Sequence, residues 1–286
     1  MEVKQQKMKL KTGFHFIVFI VSACFFSCGK FSDNSRETMQ TETRRFDRQF
    51  FLTADNSDGR LSVNIRIDLP SRFRDAEISK KIRKDIIEHL FGSEFSQHSN
   101  RELLRNFANK LYEEYRDTYL PILNSEVHTE SGHSFNQEFS LETEILLSDE
   151  LLFVLGVNMY IYMGGAHGLT TRSFLNYNLQ DGSRILEEDI FIENFEPVLT
   201  EILRKQLMND LGISSAQELA EIYWIENIIP NGNFYITNEF IVYVFNPYEI
   251  APYSIGHTEI RIPFEKLNGI KPSKFPTSGT FWEVRK

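Results

Sequence analysis

The sequence predicts an α+β fold: antiparallel sheets with helices packed on one face, in two subdomains. Three observations carry this prediction. Strand-like and helix-like runs are segregated in the order ββαα, βββ, αα, βββ, where a parallel sheet would alternate them. The apolar spacing switches between a period of two and a period of three to four. Apolar residues make up 41% of the 286 positions, enough for a real core and too many for a disordered or low-complexity chain.

The first segment is not part of the fold. Lys4, Lys7, Lys9 and Lys11 form a basic opening, and Phe14 to Phe26 is almost purely apolar. That run is too short for a comfortable membrane span and reads as a secretory signal over 1–27. Phe25-Phe26-Ser27-Cys28 resembles a bacterial lipobox, with Phe25 where leucine is usual. Cleavage before Cys28 leaves that cysteine as the lipidation site and the anchor to a membrane. An uncleaved N-terminal anchor and an ordinary cleaved signal are the competing readings. The only cysteines are Cys24 and Cys28, so the mature chain has no thiol for a disulfide, a redox pair or a nucleophile. Residues 28–45 are polar and read as a flexible tether.

A small α+β domain is expected over 46–122. Phe50-Phe51-Leu52 and the alternating run Leu61 to Leu69 flank Asp55 to Gly59, so they read as two strands and a turn, closed by Pro70. Ile78, Ile82, Ile86 and Leu90 then recur every four residues, with Gly92 as the stop. Lys80, Lys81, Arg83 and Lys84 read as that helix's solvated face. Asn100 caps a second helix through Leu103, Leu104, Phe107, Leu111 and Tyr115, ended by Pro121.

A larger domain is expected over 123–270, followed by a loose tail, 271–286. Strands are predicted at 134–147, 151–163 and 170–179. A short helix follows over 185–191, then one through Val198, Ile202 and Leu207 stopped near Gly212, and another at 216–222. The last strands are 233–236, 240–245 and 257–262, with a turn at Phe264 to Leu267.

Charge narrows the partners. Thirty-one Lys and Arg against 40 Asp and Glu give a formal charge of −9, which argues against nucleic acid. Loss of residues 1–27, with four Lys and one Glu, takes it to −12. The zincin, serine-hydrolase, P-loop and dinucleotide-binding motifs are absent, and no pair of histidines has helical ligand spacing around a carboxylate. His128 and His133 share a Ser- and Gly-bearing loop, a weak metal signal; no metal or cofactor is expected.

Two segments stand out. Tyr162-Met163-Gly164-Gly165-Ala166-His167-Gly168 has three glycines in five residues, which permits positive φ and close backbone approach. It reads either as a ligand loop, with amides from Gly164 and Gly165 and a proton or ligand group on His167, or as a tight turn pinned by that histidine. Phe245 to Tyr253 holds two prolines and two tyrosines. Tyr248 and Tyr253 suit protein or sugar contact, or the segment is a buried corner whose amides Asn246 and Glu249 satisfy. Glu187, Glu188 and Asp189 offer carboxylates, although adjacent acids at a helix start more often face its amides.

The run Gly164 to His167, Phe174 to Leu179 with Asp181-Gly182, Leu186 to Phe191, Phe234 to Thr237, Phe245 to Gly256 and Ile260 to Phe264 resembles a known domain. It is the extracytoplasmic domain of unknown function in RsiV-type anti-sigma factors, found also beside the deacetylase module of PdaC-like cell-wall enzymes. The resemblance covers about 126–267, with 46–122 similar to the family's smaller partner domain. It implies an α+β fold and binding of a lysozyme-like basic protein. The motifs of anti-sigma activity and of deacetylation do not match here. The expected function is a lipid-anchored, non-catalytic binding or sensing protein of the cell envelope, taking a lysozyme-like protein or a peptidoglycan fragment through Gly164, Gly165, His167, Asn246, Tyr248, Glu249 and Tyr253. The alternative is an enzyme on wall glycans, with His167 paired to Glu249 or Asp189.

Overall fold

A computed structural model describes residues 38–55, 59–125 and 135–271. The expected signal, Cys28, the tail beyond 271 and the His128/His133 loop lie outside the described residues. Arg36–Lys286 form one compact unit.

Two antiparallel-rich sheets and their helices make an α+β fold. The first sheet has five strands in sequence order: β1 (Gln40–Phe51), β2 (Arg60–Arg72), β3 (Gln137–Ser148), β4 (Leu152–Tyr162) and β5 (Leu169–Asn178). The second has three: β6 (Phe234–Ile236), β7 (Phe240–Phe245) and β8 (Thr258–Pro263).

Several details depart from the sequence expectations. The chain expected to be a tether through residue 45 is already in β1 from Gln40. This strand alternates poorly because it is a sheet edge, where Arg44, Arg45, Asp47 and Arg48 sit between Met39 and Phe50, both buried. Pro70 does not close β2. It pairs with Thr41 alone, beyond the last β2–β3 pair at Arg66 and Glu142, so no second neighbour needs its missing N–H. Pro121 lies within α2 (Asn100–Leu123), in its last turn, where Asn124 caps the end by donating to the Leu120 and Ile122 carbonyls. Finally, β2 and β3 pair in parallel, because two helices carry the chain back to the starting edge. That pairing crosses the 122/123 boundary expected from composition.

The helix α1 (Ala76–Phe91) starts at Asp75, whose side chain accepts from the Glu77 N–H, and stops at Gly92 with φ 101°. Its stripe of Ile78, Ile82 and Ile86 packs with Leu103, Leu104 and Ala108 of α2 on Val63, Ile65, Ile67 and Leu69 of β2. The basic run is a solvated face with local partners: Lys80 meets Glu77, Lys84 meets Glu88 and Lys81 donates to the Asp181 carbonyl. Arg83 reaches Glu42 and the Pro70 carbonyl, tying α1 to the β1–β2 end.

After β5 come α3 (Glu187–Ile190), α4 (Glu196–Leu211) and α5 (Ala216–Ala220). The buried stripe of α4 is Leu199, Leu203 and Leu207; Val198, named in the sequence stripe, is exposed. That stripe packs with Ile241, Tyr243 and Phe245 of β7 and Ile260 and Ile262 of β8. The other face of β7, Val242 and Val244, packs against Phe174 of β5. A strand covered on both faces explains the unbroken apolar run Phe240 to Phe245.

The sheets are joined mainly by asparagines. Asn176 of β5 is 2% exposed. Its Nδ2 donates to the Phe234 carbonyl at 2.8 Å, and its Oδ1 accepts from the Ile236 N–H at 3.0 Å. Within the first layer, Asp85 ties α1 to the end of β5, accepting from Arg184 Nη2 at 2.6 Å and from the Tyr177 hydroxyl at 2.7 Å. Truncation of Asn176 strands a buried carbonyl and a buried N–H. Asn176→Ala is therefore expected to destabilise the domain by about 2–4 kcal/mol, read as a lower urea midpoint at unchanged m-value.

Candidate functional site

The β4–β5 connection and the loop between β7 and β8 meet at one end of the molecule. Gly164 and Gly165 adopt φ of 86° and 103°, the conformations that the glycine run permits. At Gly168 a Cβ would lie 2.3 Å from the Tyr160 ring, so only glycine fits there. The Gly168 carbonyl accepts from the Tyr253 hydroxyl at 3.1 Å, and His167 Nδ1 lies 3.1 Å from the same oxygen. The His167 ring stacks on Tyr253, centroids 4.2 Å apart and planes 22° apart. Tyr248 follows at 5.5 Å from Tyr253. The result is a row of three rings on the surface.

The second loop is held by its own polar groups. Asn246 Oδ1 accepts from the Arg172 N–H at 2.6 Å, while its Nδ2 donates to the Arg172 carbonyl at 3.2 Å. Glu249 accepts from the Asn246 N–H at 2.9 Å, from Asn246 Nδ2 at 3.1 Å and from Asn231 Nδ2 at 3.3 Å. The Tyr248 N–H donates to the Ala251 carbonyl at 3.2 Å. Within this turn Tyr248 takes φ 71°, rare for a bulky residue, and its side chain is 52% exposed. Thus Asn246 and Glu249 satisfy the amides of the corner, and the Tyr248 side chain is exposed.

Apolar side chains continue the surface. Met163 (66% exposed), Leu169 and Ile255 are exposed around the rings. Trp224, also exposed, is tied in where its N–H donates to the Ile250 carbonyl at 2.8 Å. Beside the loop runs a groove of about 430 Å3 of mixed lining, with Arg172, Asn233, Asn246 and Glu249 beside Phe174, Ile185 and Leu186. Arg172 pairs with Glu259 at 2.7 Å, and Arg261 meets the other Glu259 oxygen at 2.9 Å. Burial pushes the Glu259 carboxyl upward, but the two guanidiniums outweigh it and hold it below the usual range.

The structure thus gathers Gly164, Gly165, His167, Asn246, Tyr248, Glu249 and Tyr253. It does not assemble the carboxylate–histidine pair of the enzyme alternative. The Glu249 oxygens go to Asn246 and Asn231, while the polar contact of His167 is with the Gly168 carbonyl and its ring contact with Tyr253. Asp189 accepts from the Leu186 N–H at 2.9 Å, at the start of α3. Among the described residues no three His, Cys, Asp or Glu side chains group in a way that would hold a metal ion, and no helix is long and apolar enough to cross a membrane. Sequence reasoning missed Arg172, Asn233 and Trp224. Their only signal was position: a lone arginine in a strand, and polar and aromatic residues near Pro230.

Glu187 lies behind the site. Its Oε1 accepts from the Tyr243 hydroxyl at 2.8 Å and from the Gly232 N–H at 3.1 Å. Burial pushes its carboxyl above the ordinary 4.5, and these two donors only partly offset that. A carboxyl raised on folding contributes stability that is complete below its unfolded pKa and lost as pH rises through the folded one. Glutamine keeps the same acceptor oxygen without the charge. Glu187→Gln should therefore match the wild type most closely in acid and gain on it steadily toward neutral pH, as measured by urea titrations across that range.

Residues 188–265 match the family described as "Protein of unknown function (DUF3298)". The anti-sigma-V factor RsiV of Bacillus subtilis is 22% identical over 175 residues, 58% of this chain and 58% of that protein. The match thus spans less than two thirds of that relative. A crystal structure of a DUF3298 family member from Bacteroides fragilis superposes with a TM-score of 0.76 at 24% identity, covering 83% of this chain and 96% of the other. One from Pseudomonas aeruginosa gives 0.53 at 18% identity, covering 84% and 98%. The chain is therefore similar to RsiV over part of its length, has a segment that matches the domain of unknown function, and shares the fold of these two solved proteins.

Proposed function

We propose that this protein is an exported, lipid-anchored, non-catalytic binding or sensing protein of the cell envelope, and that its aromatic face grips a protein or wall-derived ligand. One observation carries the reading: the two loops converge into the row His167, Tyr253, Tyr248, whose end rings are exposed and whose middle ring is half-buried, while the polar groups beneath are engaged in holding it. A surface built this way offers stacking and apolar area rather than a free acid and base. The RsiV relative supports an extracytoplasmic setting, and the Cys28 lipobox supports the anchor. The acidic charge favours a basic partner such as a lysozyme-like protein, with a peptidoglycan fragment as the other candidate ligand.

Tyr248→Ala and Tyr253→Ala should each weaken capture of that partner about tenfold without unfolding the domain, in titrations of residues 36–286 against lysozymes and soluble wall fragments. Unchanged binding by both folded variants rules out this face, and glycan turnover abolished by His167→Ala restores the enzyme alternative. The anchor is tested separately. Cys28→Ala should move the full-length chain from the membrane fraction to the soluble one and abolish labelling by a radioactive fatty acid.

A further inference from the structure

The groove beside the aromatic face runs along the free edge of β5. Residues 171–176 of that strand line it, with Ile185 and Leu186 on the way to α3 and residues 231–234 on the way into β6. In the first sheet β5 has a neighbour, β4, on one side only. Residues of an antiparallel pair alternate: one turns its N–H and C=O to the partner strand, and the next turns both away. Arg172 turns away from β4, since its N–H and C=O meet Asn246. The β4–β5 register runs without a shift, so Thr170, Phe174, Asn176 and Asn178 turn away with it.

On that free side the chain supplies partners above and below one position. His257 bonds the Thr170 backbone. The Asn176 carbonyl accepts from the Ile185 N–H at 2.8 Å, and the Asn178 N–H donates to the Ser183 carbonyl at 2.9 Å. Phe174 is the exception. Among the described residues neither its N–H nor its C=O has a hydrogen-bond partner on this side. Its ring is buried and packs on Tyr235 at 4.7 Å between centroids, which fixes the backbone that faces the groove. An unpaired donor and acceptor at a strand edge are a template for another chain. The group that meets both is an amino-acid residue in extended conformation, whose own N–H and C=O lie on one side. The N–H and C=O of a single trans amide point in opposite directions, so a lone acetamido group, as on an amino sugar, meets one of the two.

We propose that this groove binds a short extended peptide, which adds to the free edge of β5 by pairing with Phe174. Asn246 on Arg172 and Ile185 on Asn176 close the edge at either end. Those two β5 residues are about 13 Å apart at a rise of about 3.3 Å per residue, which leaves room for about three peptide residues. Leu186, 51% exposed on the lining, offers apolar area to a peptide side chain. The proposal is independent of the aromatic face, since neither Tyr248 nor Tyr253 takes part.

The test titrates isotope-labelled residues 36–286, the compact unit, with three probes. They are the blocked peptide Ac-Val-Ala-Val-NHMe, the same peptide N-methylated at all three residues, and N-acetylglucosamine. The first should shift the Phe174 amide resonance saturably and slow its hydrogen exchange. The N-methylated peptide, which has lost the donors of its pairing residues, should bind at least about tenfold more weakly. Leu186→Trp should block the groove with circular dichroism unchanged, and Tyr248→Ala should leave the titration as it is. Where Leu186→Trp fails to fold, the comparison of the two peptides decides alone. No response at Phe174, equal binding of the N-methylated peptide, shifts centred on Tyr248 and Tyr253, or displacement of the peptide by N-acetylglucosamine would each overturn the proposal.

Discussion

The outer edge of β5 meets asparagine side chains where a sixth strand would otherwise lie. An amide carries a donor and an acceptor and so satisfies the same backbone groups that a strand would. Asn246 does this for both the N–H and the carbonyl of Arg172, and Asn233 Nδ2 reaches that carbonyl at 2.9 Å. Asn176 works in the opposite direction, from β5 to the backbone of β6. The second sheet is therefore docked on the first without extending it, and a long edge is protected from pairing elsewhere. Everything at the aromatic face follows from this. The loop carrying Tyr248 and Tyr253 starts at Asn246, so fixing Asn246 on Arg172 sets that loop against the β4–β5 turn.

Apolar matter backs these polar links. Phe174, Val242 and Val244 lie between the sheets, joined by Leu146, Tyr235 and Phe240. Removing one amide therefore leaves the sheets in contact but unpins their register. The Asp85–Arg184–Tyr177 cluster adds a third constraint where the chain leaves the first sheet, next to the single bridge between Tyr177 and Arg184. Burial and the Asp85 carboxylate push the Tyr177 phenol well above its ordinary range, so it is a permanent donor.

Elements whose side chains answer to one buried face were legible in the sequence. The Ile78, Ile82, Ile86 stripe and the alternation of Leu61 to Leu69 report a half-buried helix and strand directly. Phe240 to Phe245 was legible for a different reason, burial on both faces. Edges were not legible: residues 40–45 are polar, so their composition is that of a tether although they open the twelve-residue strand β1. Nor was topology, because the parallel pairing of β2 with β3 depends on how two helices return the chain. Of the site, the loops were visible through glycine, proline and tyrosine content. Their meeting was not, since Asn233 and Asn246 look like ordinary turn residues until Arg172 is placed beside them.

Tyr248 shows how the local energetics favour recognition. A tyrosine at φ 71° carries a steric cost of about 1–3 kcal/mol, which the surrounding contacts must overcome. Here they are the Ala251 carbonyl, the Glu249 N–H donating to the Asn246 carbonyl at 3.0 Å, and the Glu249 carboxylate on the Asn246 N–H. The turn is thus over-determined, and the ring is held outward before any partner arrives. Ordering entropy that a mobile loop would lose on binding has already been lost on folding. The same network engages both oxygens of the nearest carboxylate: one Glu249 oxygen accepts from the Asn246 N–H and Asn231 Nδ2, the other from Asn246 Nδ2. The fixed position of the Tyr248 ring and the engagement of the Glu249 carboxylate are thus two results of one arrangement.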